Sequence, residues 1–140
     1  MVYALLSFPL GILADKIGLK PVLLAGFAAF AAVYVGMAYA TNLYLFLGLF
    51  LLYGFYAAST EGISKAWISN ITDKKHTATA IGTYTGLQSI CTMLASSLTG
   101  FIWYRYGATS AFLTTSLATL LVVIYFFTVP SPQTVQVEAA

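Results

Sequence analysis

Four carboxylates, six cations, one histidine and one cysteine make up the charged and nucleophilic chemistry of this 140-residue chain. Asp15, Lys16 and Lys20 fall within one short stretch, Glu61 and Lys65 stand four apart, and Asp73, Lys74, Lys75 and His76 are consecutive. A catalytic nucleophile needs a base beside it, and a metal centre needs several His, Cys, Asp or Glu ligands. His76 and Cys91 are each the sole residue of their type, and no carboxylates recur at depth, so neither arrangement can be assembled. A lone cysteine also excludes an internal disulfide. The chain is expected to be no enzyme and to need no metal or cofactor. His76 reads as a solvated loop residue.

The elements that position these few groups follow from composition. Hydrophobic residues make up 60% of the chain, charged residues 7%, and the mean hydropathy is +0.88. A water-soluble globular domain carries about a quarter charged residues. Its surface needs charge that this chain lacks, so the expected solvent is the lipid bilayer. The net charge of +2 is scattered, with no basic stripe to suggest a nucleic-acid partner.

In chain order, residues 1–13 form a first apolar run with no basic residue ahead and no small-residue cleavage site, unlike a signal peptide. At ~1.5 Å per residue it reaches about 20 Å, short of the roughly 30 Å hydrocarbon core. It reads as a re-entrant segment or as the last part of a helix whose beginning is missing, and the second reading is preferred. Residues 21–40 make a full uncharged span opened by Pro21, where a missing amide is harmless. Thr41 and Asn42 turn the chain into a helix over 43–66. Residues 70–76 are the most polar stretch, with Thr72 or Asp73 as the expected N-cap of the next helix, 77–103. Tyr104 to Gly107 form a turn, 108–129 is the last span, and residues 131–140 read as a disordered tail. The fold class is all-α: a polytopic transmembrane bundle of five helical segments, forming one domain over 1–130.

The helix 77–103 differs from its neighbours in carrying Thr77, Thr79, Thr83, Thr85, Gln88, Ser89, Thr92, Ser96, Ser97 and Thr99. Polar groups at membrane depth belong against protein or water. Ala78, Gly82 and Gly86 form a small-residue ridge suited to close helix packing. Tyr53, Tyr56 and Gln88 are candidates to line a cavity, although a membrane tyrosine more often packs or anchors. Orientation follows from basic residues: the loops after the first and third segments hold Lys16, Lys20, Lys65, Lys74 and Lys75, and the others hold only Arg105. The positive-inside rule places 11–20 and 61–76 in the cytoplasm, the tail inside, and membrane lipid around the spans.

Gly11-Ile12-Leu13-Ala14-Asp15-Lys16-Ile17-Gly18-Leu19-Lys20 resembles the loop signature of the major facilitator superfamily, G-x-x-x-D-[RK]-x-G-R-[RK], with Leu19 in place of an arginine. Tyr53–Gly62 resembles the family's helix ten, Thr79–Tyr84 the start of helix eleven, and Gly100–Gly107 with Ala111-Phe112 the turn into helix twelve. The arginine usual in the family's helix four is absent from 43–60, so the resemblance implies the second half, from late helix eight to helix twelve. It implies a secondary active transporter of a small solute working by alternating access in a bacterial plasma membrane. The implied partners are that solute, a coupling proton or ion, and a missing N-terminal half of the same chain. Gly11, Asp15, Lys16, Gly18 and Lys20 become a conformational-switch loop in which Asp15 contacts the start of the helix at Thr77. The family's Arg-Gly there is Thr77-Ala78 here, leaving Lys65, Lys74 and Lys75 as candidate basic partners. Glu61 and Lys65 become a candidate cytoplasmic gate, against the plainer reading of a local pair worth a few tenths of a kcal/mol, roughly. The alternative to transport is a helical membrane scaffold or assembly subunit.

Overall fold

The computed structural model describes residues 2–128, and these form five α-helices joined by short turns. They are α1 Val2–Ile17, α2 Leu19–Tyr39, α3 Leu43–Ile71, α4 Thr77–Tyr106 and α5 Ala108–Thr128. By length and composition α2, α3 and α5 can each cross a membrane; α4, diluted by its hydroxyls, is not among them. The expected tail at 131–140 lies outside the described residues.

Three boundaries differ from the expected ones, each because a helix runs on until something stops it. α1 continues past residue 13 to Ile17, so most of the charged signature is helical and only Gly18 breaks the chain. α3 continues past 66 to Ile71, since Ile63 is buried in the core and Trp67 packs against it one turn later. α4 continues through Tyr104, Arg105 and Tyr106, and Gly107 alone makes the turn. The α4 N-cap is His76, with no side-chain bond, rather than Thr72 or Asp73; the backbone carbonyl of Asp73 instead accepts from Thr77 Oγ1 at 3.1 Å. Asn42 does cap its helix, its Oδ1 accepting from the Tyr44 amide at 3.0 Å.

α2 is the centre of the bundle, packing against α1, α3 and α5, whereas α3 and α5 do not touch each other. The core joins Leu10 and Ala14 of α1, Val22 and Leu23 of α2, and Ala58 and Ile63 of α3. Lipid tails are as apolar as leucine, so helices associate in a bilayer through close packing and interhelical hydrogen bonds rather than through exclusion of water. Both devices are visible. At Gly26 the α2 backbone comes so near α3 that an added Cβ would lie 2.7 Å from Ser59 Cβ. Along α5, Thr109 and Ser116 hydroxyls donate to the Ala38 and Ala31 carbonyls of α2, at 3.4 and 3.0 Å. Seven residues forward on α5 match seven back on α2, so these two helices are antiparallel. The outer faces stay apolar, as Leu51, Leu121 and Ile124 illustrate at about 60% exposure.

Candidate functional site

The Gly18 turn holds the signature chemistry. α1 closes when the Gly18 amide donates to the Ala14 carbonyl at 2.9 Å. Gly18 has φ 95° and ψ 155°, a region open essentially to glycine alone. The chain therefore reverses within one residue, and Lys20 falls in the first turn of α2. Pro21 is third in that helix, still within the turn whose amides have no helical partner.

Asp15 stands between two clefts. One, of about 380 Å³, is bounded by residues 14–21 together with Trp67, Asn70 and Ile71 at the end of α3. The other, of about 170 Å³, separates α1 from α3 and includes Ser7, Gly11, Asp15, Ala58 and Gly62. Gly11, Asp15, Gly18 and Lys20 are thus gathered at the end of α3, with Lys16 exposed beside them. Thr77 lines neither cleft and α1 has no contact with α4, so Asp15 faces α3 here rather than the start of α4. Glu61 and Lys65 are exposed a turn apart on α3. No group of three or more His, Cys, Asp or Glu is placed to hold a metal among the described residues.

Tyr53 and Tyr56 lie on α3 with ring centroids 5.5 Å apart, and both contact Phe30 of α2, at 6.2 and 4.4 Å. Tyr56 also borders a cleft of about 210 Å³ with Phe27, Phe30, Thr115 and Thr119. Gln88 is exposed on α4 and lines neither that cleft nor the one bordered by Tyr53. Ala78, Gly82 and Gly86 are exposed, and a Cβ at either glycine would meet nothing within 4 Å.

The sequence reading missed a path of rings running through the bundle. It passes from Trp67 to Phe126 (6.4 Å), Phe27 (6.1 Å), Tyr56 (6.4 Å), Phe30 (4.4 Å), Tyr34 (4.2 Å), Phe112 (5.7 Å) and Trp103 (5.6 Å). The available signal was the spacing of Phe27, Phe30 and Tyr34, which sets three rings on one face of α2.

Long apolar helices bonded to one another through hydroxyls, with apolar flanks and charge confined to one end, define a polytopic integral-membrane bundle. The profile of the Major Facilitator Superfamily matches residues 1–140, and the chain belongs to that family. It is 37% identical over 101 residues to the uncharacterized MFS-type transporter MJ1317 of Methanocaldococcus jannaschii, a match covering 72% of this chain and 25% of that protein. It is 32% identical over 110 residues to the multi-drug resistance efflux pump PmrA of Streptococcus pneumoniae, covering 79% of this chain and 27% of the pump. The chain thus spans about a quarter of the length of these relatives. No solved structure matches it significantly. Membrane transport is the general activity that family and relatives support.

Proposed function

We propose that these 140 residues form part of the second half of a secondary active transporter that moves a small solute across the plasma membrane by alternating access. The observation that carries this reading is the position of Asp15 on a one-residue hinge between two helices, flanked by clefts that leave it room to change partners. Alternating access requires an element with two arrangements of similar energy. In one arrangement Asp15 borders α3, as here; in the other its carboxylate meets the positive N-terminal end of α4 near Thr77, with Lys74 or Lys75 beside it. Glu61 and Lys65, on the same end of α3, belong to the closing surface. The Gly18 turn and residues 72–76 face the cytoplasm in this reading, in accord with the lysine distribution.

One relative is named as a multi-drug efflux pump, so the first substrates to try are small amphipathic dyes, measured in the export direction. In inside-out vesicles bearing the complete polypeptide, Asp15→Asn is expected to lower dye flux several-fold while membrane insertion stays unchanged. Wild-type flux from that variant sinks the switch role. Absence of flux from the unmodified protein, across dyes and imposed gradients, favours a scaffold instead.

A further inference from the structure

Two hairpins in this chain are built alike. α1 enters α2 through Gly18 and α4 enters α5 through Gly107, with φ of 95° and 85° and ψ of 155° and 170°. Each glycine donates its amide to the carbonyl four residues back, Ala14 and Trp103, at 2.9 Å. Each follows a helical glycine by seven residues (Gly11, Gly100) and a basic residue by two (Lys16, Arg105), and each precedes a buried residue by four (Val22, Ala111). Because α2 and α5 are antiparallel, the hairpins are inverted copies of one another, the kind of repeat on which transporter bundles are built.

The first hairpin is packed on both members by α3. The second has no equivalent, since α3 touches α4 but not α5. Three features mark the vacant place. First, no residue of α4 is buried. Second, the stripe Thr77, Ile81, Tyr84, Gln88, Thr92, Ala95, Thr99, Ile102 is half-buried at both ends but exposed at Gln88, Thr92 and Ala95. The face that α4 turns to the bundle is therefore bare in its middle. Third, α3 and α5 stand apart over the Phe27 and Phe30 rings, leaving the cleft of about 210 Å³.

We propose that this place is the docking surface for one further membrane-spanning helix of the same polypeptide, standing to α4 and α5 as α3 stands to α1 and α2. α3 precedes α4 through the short turn 72–76, so the repeat assigns the occupant to the segment ahead of α1. Relatives about four times as long have the chain to supply it. The cleft lining holds no charged side chain, so the occupant is an uncharged span. Against the Phe27 and Phe30 rings it needs small or aliphatic residues. Towards α4 it needs a hydrogen-bonding group, because among the described residues the Gln88 carboxamide has no partner, unlike the Thr85, Ser89 and Thr92 hydroxyls, which bond their own helix. An unpaired amide at mid-membrane is costly. The inference rests on the reading that these residues are part of a longer chain, and it does not require that the chain transport anything.

The test uses the polypeptide as the cell makes it, with Cys91→Ser, spin-labelled in liposomes at single cysteines. Ala118 probes the cleft and Ala95 the bare middle of α4, with Ile124 and Leu94 as lipid-facing controls. Labels at 95 and 118 are expected to be immobilised and several-fold less accessible to oxygen and to a water-soluble nickel chelate than controls are to oxygen. Oxygen access equal to the controls means lipid fills the place, and nickel access means water does; either overturns the proposal. Shielding that disappears on dilution into excess liposomes means a second copy fills it, which overturns it too. A label at 118 that blocks insertion leaves the Ala95 label to decide. A transport-dead but shielded protein separates this proposal from the functional one.

Discussion

Gly26 and Gly36 pose the same steric question with different answers. A Cβ added at either would meet a side-chain carbon at 2.7 Å: Ser59 Cβ in the first case, Leu49 Cδ2 in the second. Ser59 Cβ is fixed to the α3 backbone, and its hydroxyl donates to the Phe55 carbonyl at 2.8 Å, whereas Leu49 Cδ2 ends a flexible side chain. Gly26→Ala must therefore push two helices apart, and Gly36→Ala needs only a rotamer change. The expected loss of stability is about 1–3 kcal/mol for Gly26→Ala and under about 1 kcal/mol for Gly36→Ala. Unfolding of the purified protein in mixed micelles by increasing denaturing detergent reads the difference; equal midpoints overturn the assignment. Ser116→Ala, which removes the bond to the Ala31 carbonyl, should fall between them at roughly 0.6 kcal/mol. None of this was legible in the sequence. A glycine in an apolar run looks the same whether it meets lipid, as Gly48 does with nothing within 4 Å, or a neighbouring backbone. The partner, 33 residues away for Gly26, is fixed by tertiary packing alone.

The helices themselves were legible, because an uncharged run of some twenty residues has few other ways to satisfy its backbone in lipid. Their ends were less so. Reading the charged signature as a loop overlooked that Asp15 and Lys16 are compatible with a helix, and that charge at a membrane boundary is no helix breaker. What ends α1 and α4 is one glycine each. At φ 95° and 85° with ψ near 155° and 170°, Gly18 and Gly107 lie outside the left-handed helical region that asparagine tolerates. Gly107→Ala and Gly107→Asn are thus expected to cost alike, about 1–3 kcal/mol, with no rescue by asparagine. The same detergent titration checks this, and an asparagine variant near wild type would contradict the backbone geometry. Gly107 is the better choice of the pair, since a Cβ there meets nothing within 4 Å and strain is isolated from crowding.

The whole molecule sorts its polarity along two directions. Across the bundle, the polar α4 stands on one side and the apolar α2 and α5 on the other, so a protein-facing side is recognisable before any partner is seen. That much the sequence announced through the hydroxyls of 77–103, while the gap behind Gln88 needed coordinates, because it depends on how far α4 stands from α2. Along the bundle, five of the six basic residues lie toward the Gly18 and 72–76 end, and Arg105 lies at the other. The alternation of helices forces residues 16 and 75 to one side of the membrane and residues 41 and 105 to the other, whichever side each proves to be. The lysine bias then selects the cytoplasm for the first pair, since short basic loops are retained there. On a Cys91→Ser background, single cysteines at 16 and 75 are expected to react with a membrane-impermeant maleimide only in inside-out vesicles, and those at 41 and 105 only in intact cells. Reaction of all four from one side refutes the five-helix topology itself. A clean exchange of the two pairs leaves the fold standing and reverses the side on which Asp15 acts, which moves the proposed switch to the outer gate.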